Sequence, residues 1–112
     1  MIKSFKTSTE VLVNPRLGIT SEVQVDVTRV IFNGSFYEGI ATYSYFVEGA
    51  KVIMEETSAV FTVDEAEQLA TMAPLANNTF TANFVELIAR ATLYQLNAAG
   101  YFGLTGQNWI EL

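Results

Sequence analysis

A single change of sequence pattern near Thr62 constrains the fold of this chain more than any other feature. Before Thr62, β-branched and aromatic residues alternate with polar residues, which is typical of half-buried β-strands. After Thr62, Ala, Leu and Glu recur at helical spacing. This order predicts an α+β fold, in which an antiparallel β-meander of three to four strands precedes two helices and an aromatic C-terminal arm.

The length of 112 residues predicts a single domain. We divide it into a β-rich part (1–62), a helical part (63–100) and a C-terminal arm (101–112). Half of the residues are hydrophobic and 16% are charged, a balance that is typical of a folded chain rather than a disordered one. No segment approaches 18 consecutive apolar residues, and no apolar run follows the first lysines, so neither a membrane span nor a signal peptide is predicted.

Turn residues divide the β-rich part into strands. Pro15 and Gly18 mark a loop after a short first strand. Asn33-Gly34 predicts a type I′ hairpin turn, because both central positions of that turn need a positive φ. Gly49-Ala50 predicts a type II′ turn, which takes glycine first. The predicted strands span about residues 10–13, 22–32, 36–48 and 51–61.

These turns also predict which residues face each other. The expected cross-strand pairs are Arg29 with Glu38, Val27 with Ile40, Glu48 with Lys51, and Tyr45 with Met54. Two of the four pairs join opposite charges, which favours this register. Strict alternation then places the apolar side chains on both faces of the sheet, with Val23, Val25, Val27, Ile31, Phe36, Ile40, Phe46, Ile53, Ala59 and Phe61 on one face.

Two helices are predicted after the strands. Thr62 and Glu65 have the spacing of a capping box, and a helix over 63–73 ends before Pro74. A second helix begins at Phe80 or Thr81 and ends at Ala99, with Gly100 as the residue that follows its C-cap. Its polar residues are few, and Glu86 and Arg90 have the i, i+4 spacing of a helical ion pair. A helix apolar on most sides is expected to be buried on more than one side.

The composition leaves few means of catalysis. The chain has no histidine, and the absence of cysteine rules out disulfides and thiolate chemistry. We therefore predict no catalytic residues, no metal site and no cofactor. The net charge of −6 argues against binding to the nucleic-acid backbone, which needs a basic surface. An enzyme that works through carboxylates remains an alternative, and it would need a shifted carboxyl pKa in a pocket.

The tyrosines are the first group of candidate interface residues. Tyr37, Tyr43 and Tyr45 are expected to share one face of the sheet with Phe32 and Met54. Two interpretations stay open at this point. The tyrosines could form a second hydrophobic layer under the helices, or an aromatic platform for a sugar, a peptide or a partner subunit, because tyrosine combines apolar area with a hydroxyl group.

The C-terminal arm supplies the second group. Its candidate interface residues are Tyr101, Phe102, Trp109 and Ile110. Chain termini are usually poorly ordered unless they are docked, so a terminus this rich in aromatic residues must pack somewhere. Trp109 could fill the core of its own chain or reach an adjacent protomer, and we favour the second interpretation because a small domain rarely needs a further apolar segment after its last helix.

The chain as a whole resembles the small virion proteins of tailed bacteriophages. The features that carry the resemblance are small size, acidity, a meander closed by Asn33-Gly34 and Gly49-Ala50, the helix over 80–99 and the aromatic tail. That class includes head–tail connector, tail-terminator and tail-tube subunits. The resemblance implies a ring-forming neck or tail protein without catalytic residues. Many tail-tube subunits are longer, which favours the neck or an accessory ring.

Two function hypotheses follow. The first is a non-catalytic structural subunit of a symmetric assembly, whose partners are further copies of itself and other subunits, because a surplus of apolar surface marks an interaction site. Its location would be the virion if the phage resemblance holds and the cytoplasm otherwise. The second hypothesis is a small ligand- or peptide-binding α+β domain that uses the tyrosine-rich face. Stoichiometry discriminates between them, since a ligand-binding domain can be a monomer.

Overall fold

The computed structural model describes residues 2–79, 81, 83–100 and 107–112, and it confirms the α+β fold. A five-stranded antiparallel sheet has the strand order β6-β5-β4-β1-β7, and a separate hairpin pairs β2 with β3. Both helices follow β6. The elements are β1 (Lys3–Thr7), β2 (Val11–Asn14), β3 (Ile19–Ser21), β4 (Gln24–Asn33), β5 (Phe36–Val47), β6 (Ala50–Thr62), a 3-10 turn (Val63–Glu65), α1 (Ala66–Thr71), α2 (Phe84–Ala98) and β7 (Trp109–Glu111).

The sheet contains two strands that the sequence pattern did not predict. β1 occupies the position between β4 and β7, so the two ends of the chain lie side by side. Both strands are short, and β7 has only three residues. A strand of that length has too few alternating positions to be recognised by periodicity. The sheet is therefore wider than the predicted meander.

The turn types of the two long hairpins are the reverse of the predicted ones. The first loop consists of Gly34 and Ser35, and only Gly34 has a positive φ, which is the signature of type II′. The second consists of Glu48 and Gly49, with φ values of 51° and 82°, the signature of type I′. The predicted register is therefore wrong: the structure pairs Arg29 with Ile40, Val27 with Ala41, Lys51 with Phe46, and Tyr45 with Val52.

Two β-bulges change which face each residue occupies. One extra residue interrupts β4 at Thr28, and another interrupts β6 at Met54. Because side chains alternate strictly along a regular strand, each bulge exchanges the two faces for the rest of that strand. Val25 therefore lies opposite Tyr43, on the face that the helices cover. Ile53 lies opposite Ser44, on the other face. The prediction that Val25 and Ile53 share a face is wrong.

The helices are shorter than predicted, although their caps are as expected. The capping box of Thr62 and Glu65 is formed, but it opens a 3-10 turn before a six-residue α1. α2 begins at Phe84, because the side chain of Asn83 accepts a hydrogen bond from the backbone N–H of Glu86 and so caps the helix there. Gly100 has a φ of 65° directly after the C-cap, as predicted.

The core lies between α2 and one face of the sheet. α2 approaches β5 closely at Gly39, where an added Cβ would lie 2.9 Å from the Cβ of Thr92 and closer still to its Oγ1. A larger residue would force the helix away from the sheet. The buried apolar residues of the main cluster are Phe5, Val23, Val25, Val27, Ala41, Ala59, Ala89, Leu93, Leu96 and Trp109.

The C-terminal strand docks on its own chain. The side chain of Trp109 is fully buried in the main core, and its indole N–H donates to Asn97 Oδ1 over 3.2 Å. Its backbone N–H and carbonyl bond to Pro74 and Ala76. The expectation that Trp109 reaches a neighbouring protomer is therefore corrected, because the indole fills a space between the sheet and α2 of its own chain.

A cluster of four charged residues fixes this strand to α2. The buried guanidinium of Arg90 contacts Glu111 Oε2 at 2.7 Å, and Lys3 Nζ lies 3.5 Å from Glu111 Oε1 and 3.3 Å from Glu86 Oε1. A hydrogen bond from the Thr81 hydroxyl is the main cause that lowers the pKa of the Glu86 carboxyl, and a hydrogen bond from Lys3 lowers it further. The predicted pair of Glu86 with Arg90 is replaced by these longer-range contacts, which connect β1, α2 and β7.

Candidate interaction surface

Two of the candidate tyrosines belong to the core rather than to an exposed platform. Tyr37 and Tyr43 are half-buried, and each packs against a cluster of core residues on the face that α2 covers. The ring centroid of Tyr37 lies 5.2 Å from that of Phe32 and 5.6 Å from that of Phe84 at the start of α2. The structure thus supports the interpretation of a second hydrophobic layer for these two residues, and it removes most of the predicted platform.

The remaining candidates are distributed over the molecule. Tyr45 is half-buried, and Met54 is exposed at the bulge of β6. Ile110 is exposed on β7, one residue after the buried Trp109. Tyr101 and Phe102 lie outside the described residues. Tyr45 and Met54 lie near the same end of the β5–β6 hairpin, and Tyr45 shares its face of the regular strand β5 with Tyr37 and Tyr43, as expected.

The lengths of the elements explain why that end is uncovered. β6 has 13 residues, which corresponds to about 43 Å at about 3.3 Å per residue. The 15 residues of α2 span only about 22 Å at about 1.5 Å per residue. Even if it lay parallel to the strands, α2 could cover only about half of the hairpin. The longest dimension of the molecule is 44 Å, close to the length of β6 alone.

We call residues 45–56 the hairpin end. Every residue from 47 to 56 is exposed, and the exposed residues include four large apolar side chains, Val47, Val52, Ile53 and Met54. Val52 shares the face of Tyr45, whereas Ile53 shares the face of Ser44. Ile53 is the most exposed of the four, at 64%. Apolar side chains on both faces of an exposed hairpin indicate a contact surface, because single-chain sheets normally keep one face polar.

Polar contacts attach the hairpin end to β4 and to β3 of the separate β2–β3 hairpin. Lys51 Nζ lies 2.7 Å from Asp26 Oδ2, across β5. The backbone N–H of Phe46 donates to Ser21 Oγ over 2.8 Å. These contacts give the hairpin end a defined position, and a contact surface that is already ordered loses less conformational entropy when a partner binds.

Asp26 is the most buried carboxylate of this region, with 3% of its surface exposed. Burial alone raises the pKa of its carboxyl, but hydrogen bonds from Gln24, Lys51 and Ser4 outweigh that effect and hold the pKa below its ordinary value. The carboxylate is therefore charged at neutral pH and is fully occupied by partners within the chain. This arrangement fits an anchor for Lys51 rather than a proton donor.

The backbone edge of β6 is protected against strand addition. The bulge at Met54 interrupts the regular ladder, and Lys51, Glu55 and Glu56 place charges beside it. Bulges and charges are the usual devices that prevent edge-to-edge pairing. A partner is therefore expected to contact the side chains of the hairpin end rather than to extend the sheet.

The other surface depressions are weaker candidates for a binding site than the hairpin end. A shallow depression of about 400 Å³ on the uncovered face is lined by Ile31, Phe36 and Val60. A smaller space of about 110 Å³ lies between α1 and α2 beside Arg90. Within the described ranges, no group of three metal-ligating residues occurs, and no helix is long and apolar enough to cross a membrane.

The alternation pattern does not identify Ile53, the most exposed of the large apolar residues at the hairpin end. That pattern predicts that Ile53 shares a face with Val25, because the bulge at Met54 leaves no clear signature in the sequence. One available signal is the run Lys51-Val-Ile-Met-Glu55, in which apolar residues between charges lie in the last long strand before the helices. Charged residues beside apolar ones are a common feature of exposed edge strands. No known protein family, curated protein or solved structure matches this chain.

Proposed function

We propose that this protein is a non-catalytic structural subunit that acts through contacts between protein surfaces. The observation that carries the proposal is the hairpin end, whose apolar side chains extend beyond the helix that covers the rest of the hairpin. Exposed apolar patches of this kind are characteristic of interaction sites. In this proposal the hairpin end packs against a further copy of the chain, in an assembly that other subunits can join.

The direction of the pKa shifts also favours a structural role. The carboxyl groups with a shifted pKa, Asp26, Glu65 and Glu86, all have it lowered, and in each case hydrogen bonds to the charged form contribute. A general acid needs the opposite shift at neutral pH. These three carboxylates therefore fit stabilising roles in the fold better than catalytic ones.

The finer assignment to a phage neck or tail ring stays a prediction that derives from the resemblance of the sequence alone. The alternative of a ligand-binding domain loses support, because Tyr37 and Tyr43 pack into the core. Of the three tyrosines, Tyr45 alone belongs to the hairpin end. A surface of aliphatic side chains and carboxylates fits a protein partner better than a sugar.

The proposal is tested by the molar mass of the full chain in solution, measured by light scattering after size exclusion over a range of protein concentrations. We expect an oligomer whose mass falls towards that of the monomer in the variant Ile53→Glu. Met72→Glu is the matched control, because Met72 is also exposed but lies after α1. A wild-type protein that stays monomeric up to its solubility limit would contradict self-assembly.

A further inference from the structure

We propose that the surface that docks on the hairpin end is the tip of the β2–β3 hairpin of a second copy, through Arg16 and Leu17. This inference rests on the proposed function and names the partner surface. The contact would be heterologous, since two different surfaces of the same chain meet. Repetition of a heterologous contact produces a closed ring or an open filament.

The charges around the hairpin end point to a cationic partner surface. Glu48, Glu55 and Glu56 are exposed there, and none of them forms an ion pair among the described residues. The one cation of the hairpin end, Lys51, is already held by Asp26. Packing two hairpin ends against each other would therefore bring like charges together, which is unfavourable.

The chain has few cations that could serve as the counterpart. Of its six lysines and arginines, four form ion pairs within the chain: Lys3, Lys6, Lys51 and Arg90. Within the described part of the chain, Arg16 and Arg29 form none. Arg29 lies within the sheet, on β4, whereas Arg16 lies in the loop that joins β2 to β3. Only Arg16 belongs to a loop that connects two strands at a hairpin tip.

The loop around Arg16 carries an apolar anchor as well. Leu17, its neighbour, is 73% exposed, the highest value among the large apolar residues that the structure describes. An exposed leucine beside an unpaired arginine complements an exposed isoleucine beside unpaired glutamates. In such a contact Leu17 of one copy and Ile53 of the other bury apolar surface against each other. The pairing of Arg16 with Glu56 makes the β2–β3 tip select the hairpin end over other surfaces.

The tip of the β2–β3 hairpin is also ordered in advance. The side-chain oxygen of Asn14 accepts hydrogen bonds from the backbone N–H groups of Arg16, at 3.1 Å, and Leu17, at 3.2 Å. Gly18 closes the loop with a φ of 67°. Because Asn14 fixes the backbone of both contact residues, less entropy is lost when they dock.

The test is a charge exchange between two full-length variants, with molar mass as the measurement. The first is Arg16→Glu, and the second is Glu55→Arg combined with Glu56→Arg. Each variant alone presents like charges at both sides of the contact. We expect each to weaken self-association by more than about tenfold. A mixture of the two should assemble again, because each variant then offers a surface of opposite charge to the other.

Arg29→Glu is the matched control, since it makes the same charge change at the other unpaired arginine. Circular dichroism of every variant checks that the fold is retained. Leu17→Ser tests the apolar half of the contact without any change of charge, and it should also weaken association. The inference would be overturned if the wild type assembles and Arg16→Glu assembles equally well, or if Arg29→Glu weakens assembly as much as Arg16→Glu does. Either result would leave the proposed function standing. A wild-type monomer at all concentrations would overturn both.

Discussion

The two halves of the β5–β6 hairpin differ in what covers them. Near α2, the face that carries Tyr37 and Ala59 is packed against the helix, and Gly39 lets the helix approach closely. At the hairpin end, the same two strands carry apolar side chains that no described element covers. Both halves are rich in β-branched and aromatic residues. The reach of a helix, rather than the character of a strand, therefore decides which apolar residues become core.

The largest difference between the two halves is expected for truncation of a large apolar side chain. Phe61→Ala should lower the free energy of unfolding by about 3–5 kcal/mol, because Phe61 lies in the half of β6 that the helices cover and its truncation leaves a cavity in the core. Ile53→Ala should change it by no more than about 0.5 kcal/mol, because Ile53 is mostly exposed. Urea unfolding at low protein concentration, where subunits are separate, measures both. Equal losses would refute the distinction between a covered and an uncovered half.

A smaller loss is expected where the helix meets the sheet. Gly39→Ala should destabilise the fold by about 1–3 kcal/mol, since its Cβ would overlap with the side chain of Thr92. Adding Thr92→Ala should recover part of this loss, because it removes the overlapping hydroxyl and methyl groups. Thr92→Ala alone is the control. Urea unfolding measures the free energy of unfolding of the three variants. A double variant no more stable than Gly39→Ala would mean that overlap with Thr92 is not the cause of the loss.

The smallest effect concerns Asp26, which is buried although it lies on the face without helices. The pKa of its carboxyl is lower in the folded state than the ordinary 3.8, so the carboxylate stabilises the fold above that pH, and the contribution disappears as the pH falls through the folded-state pKa. Asp26→Asn should therefore cost about 1–2 kcal/mol at neutral pH.

Urea unfolding of wild type and Asp26→Asn as a function of pH measures this contribution. The difference between the two proteins should shrink in acid, below the folded-state pKa. Glu56→Gln, on the same face but exposed and without an ion pair among the described residues, is the control. A difference that persists unchanged in strong acid would mean that the ionised carboxylate does not anchor Lys51.

Local sequence signals correctly predicted the start of the helical part and the end of α2. Thr62 and Glu65 formed the predicted capping box, and Gly100 ended α2 as expected. The start of α2 was predicted at Phe80 or Thr81, whereas the capping hydrogen bond of Asn83 sets the first helical residue at Phe84. Both long hairpins were predicted between the correct strands, but each two-residue loop is shifted by one residue from its predicted position.

The candidate surface could be predicted only in part. Tyr45 and Met54 were identified, whereas Tyr37 and Tyr43 were placed on the wrong face relative to Val25. The reason is physical: a bulge exchanges the faces of a strand at the cost of one unpaired residue, and no obligatory residue type marks it. The sequence also could not show whether Trp109 docks on its own chain or on a neighbouring one, because the space that the indole fills is formed by segments distant in the chain.

Sequence alone suffices for the α+β order, the absence of histidine and cysteine chemistry, and the acidic charge. These properties follow from composition and from contacts between residues close in the chain. The five-strand order, the docking of Trp109 and the exposure of Ile53 arise only when distant segments fold together. Each of these depends on which distant elements come together and how far a helix reaches, and pairing over a long sequence separation leaves no periodic trace in the chain.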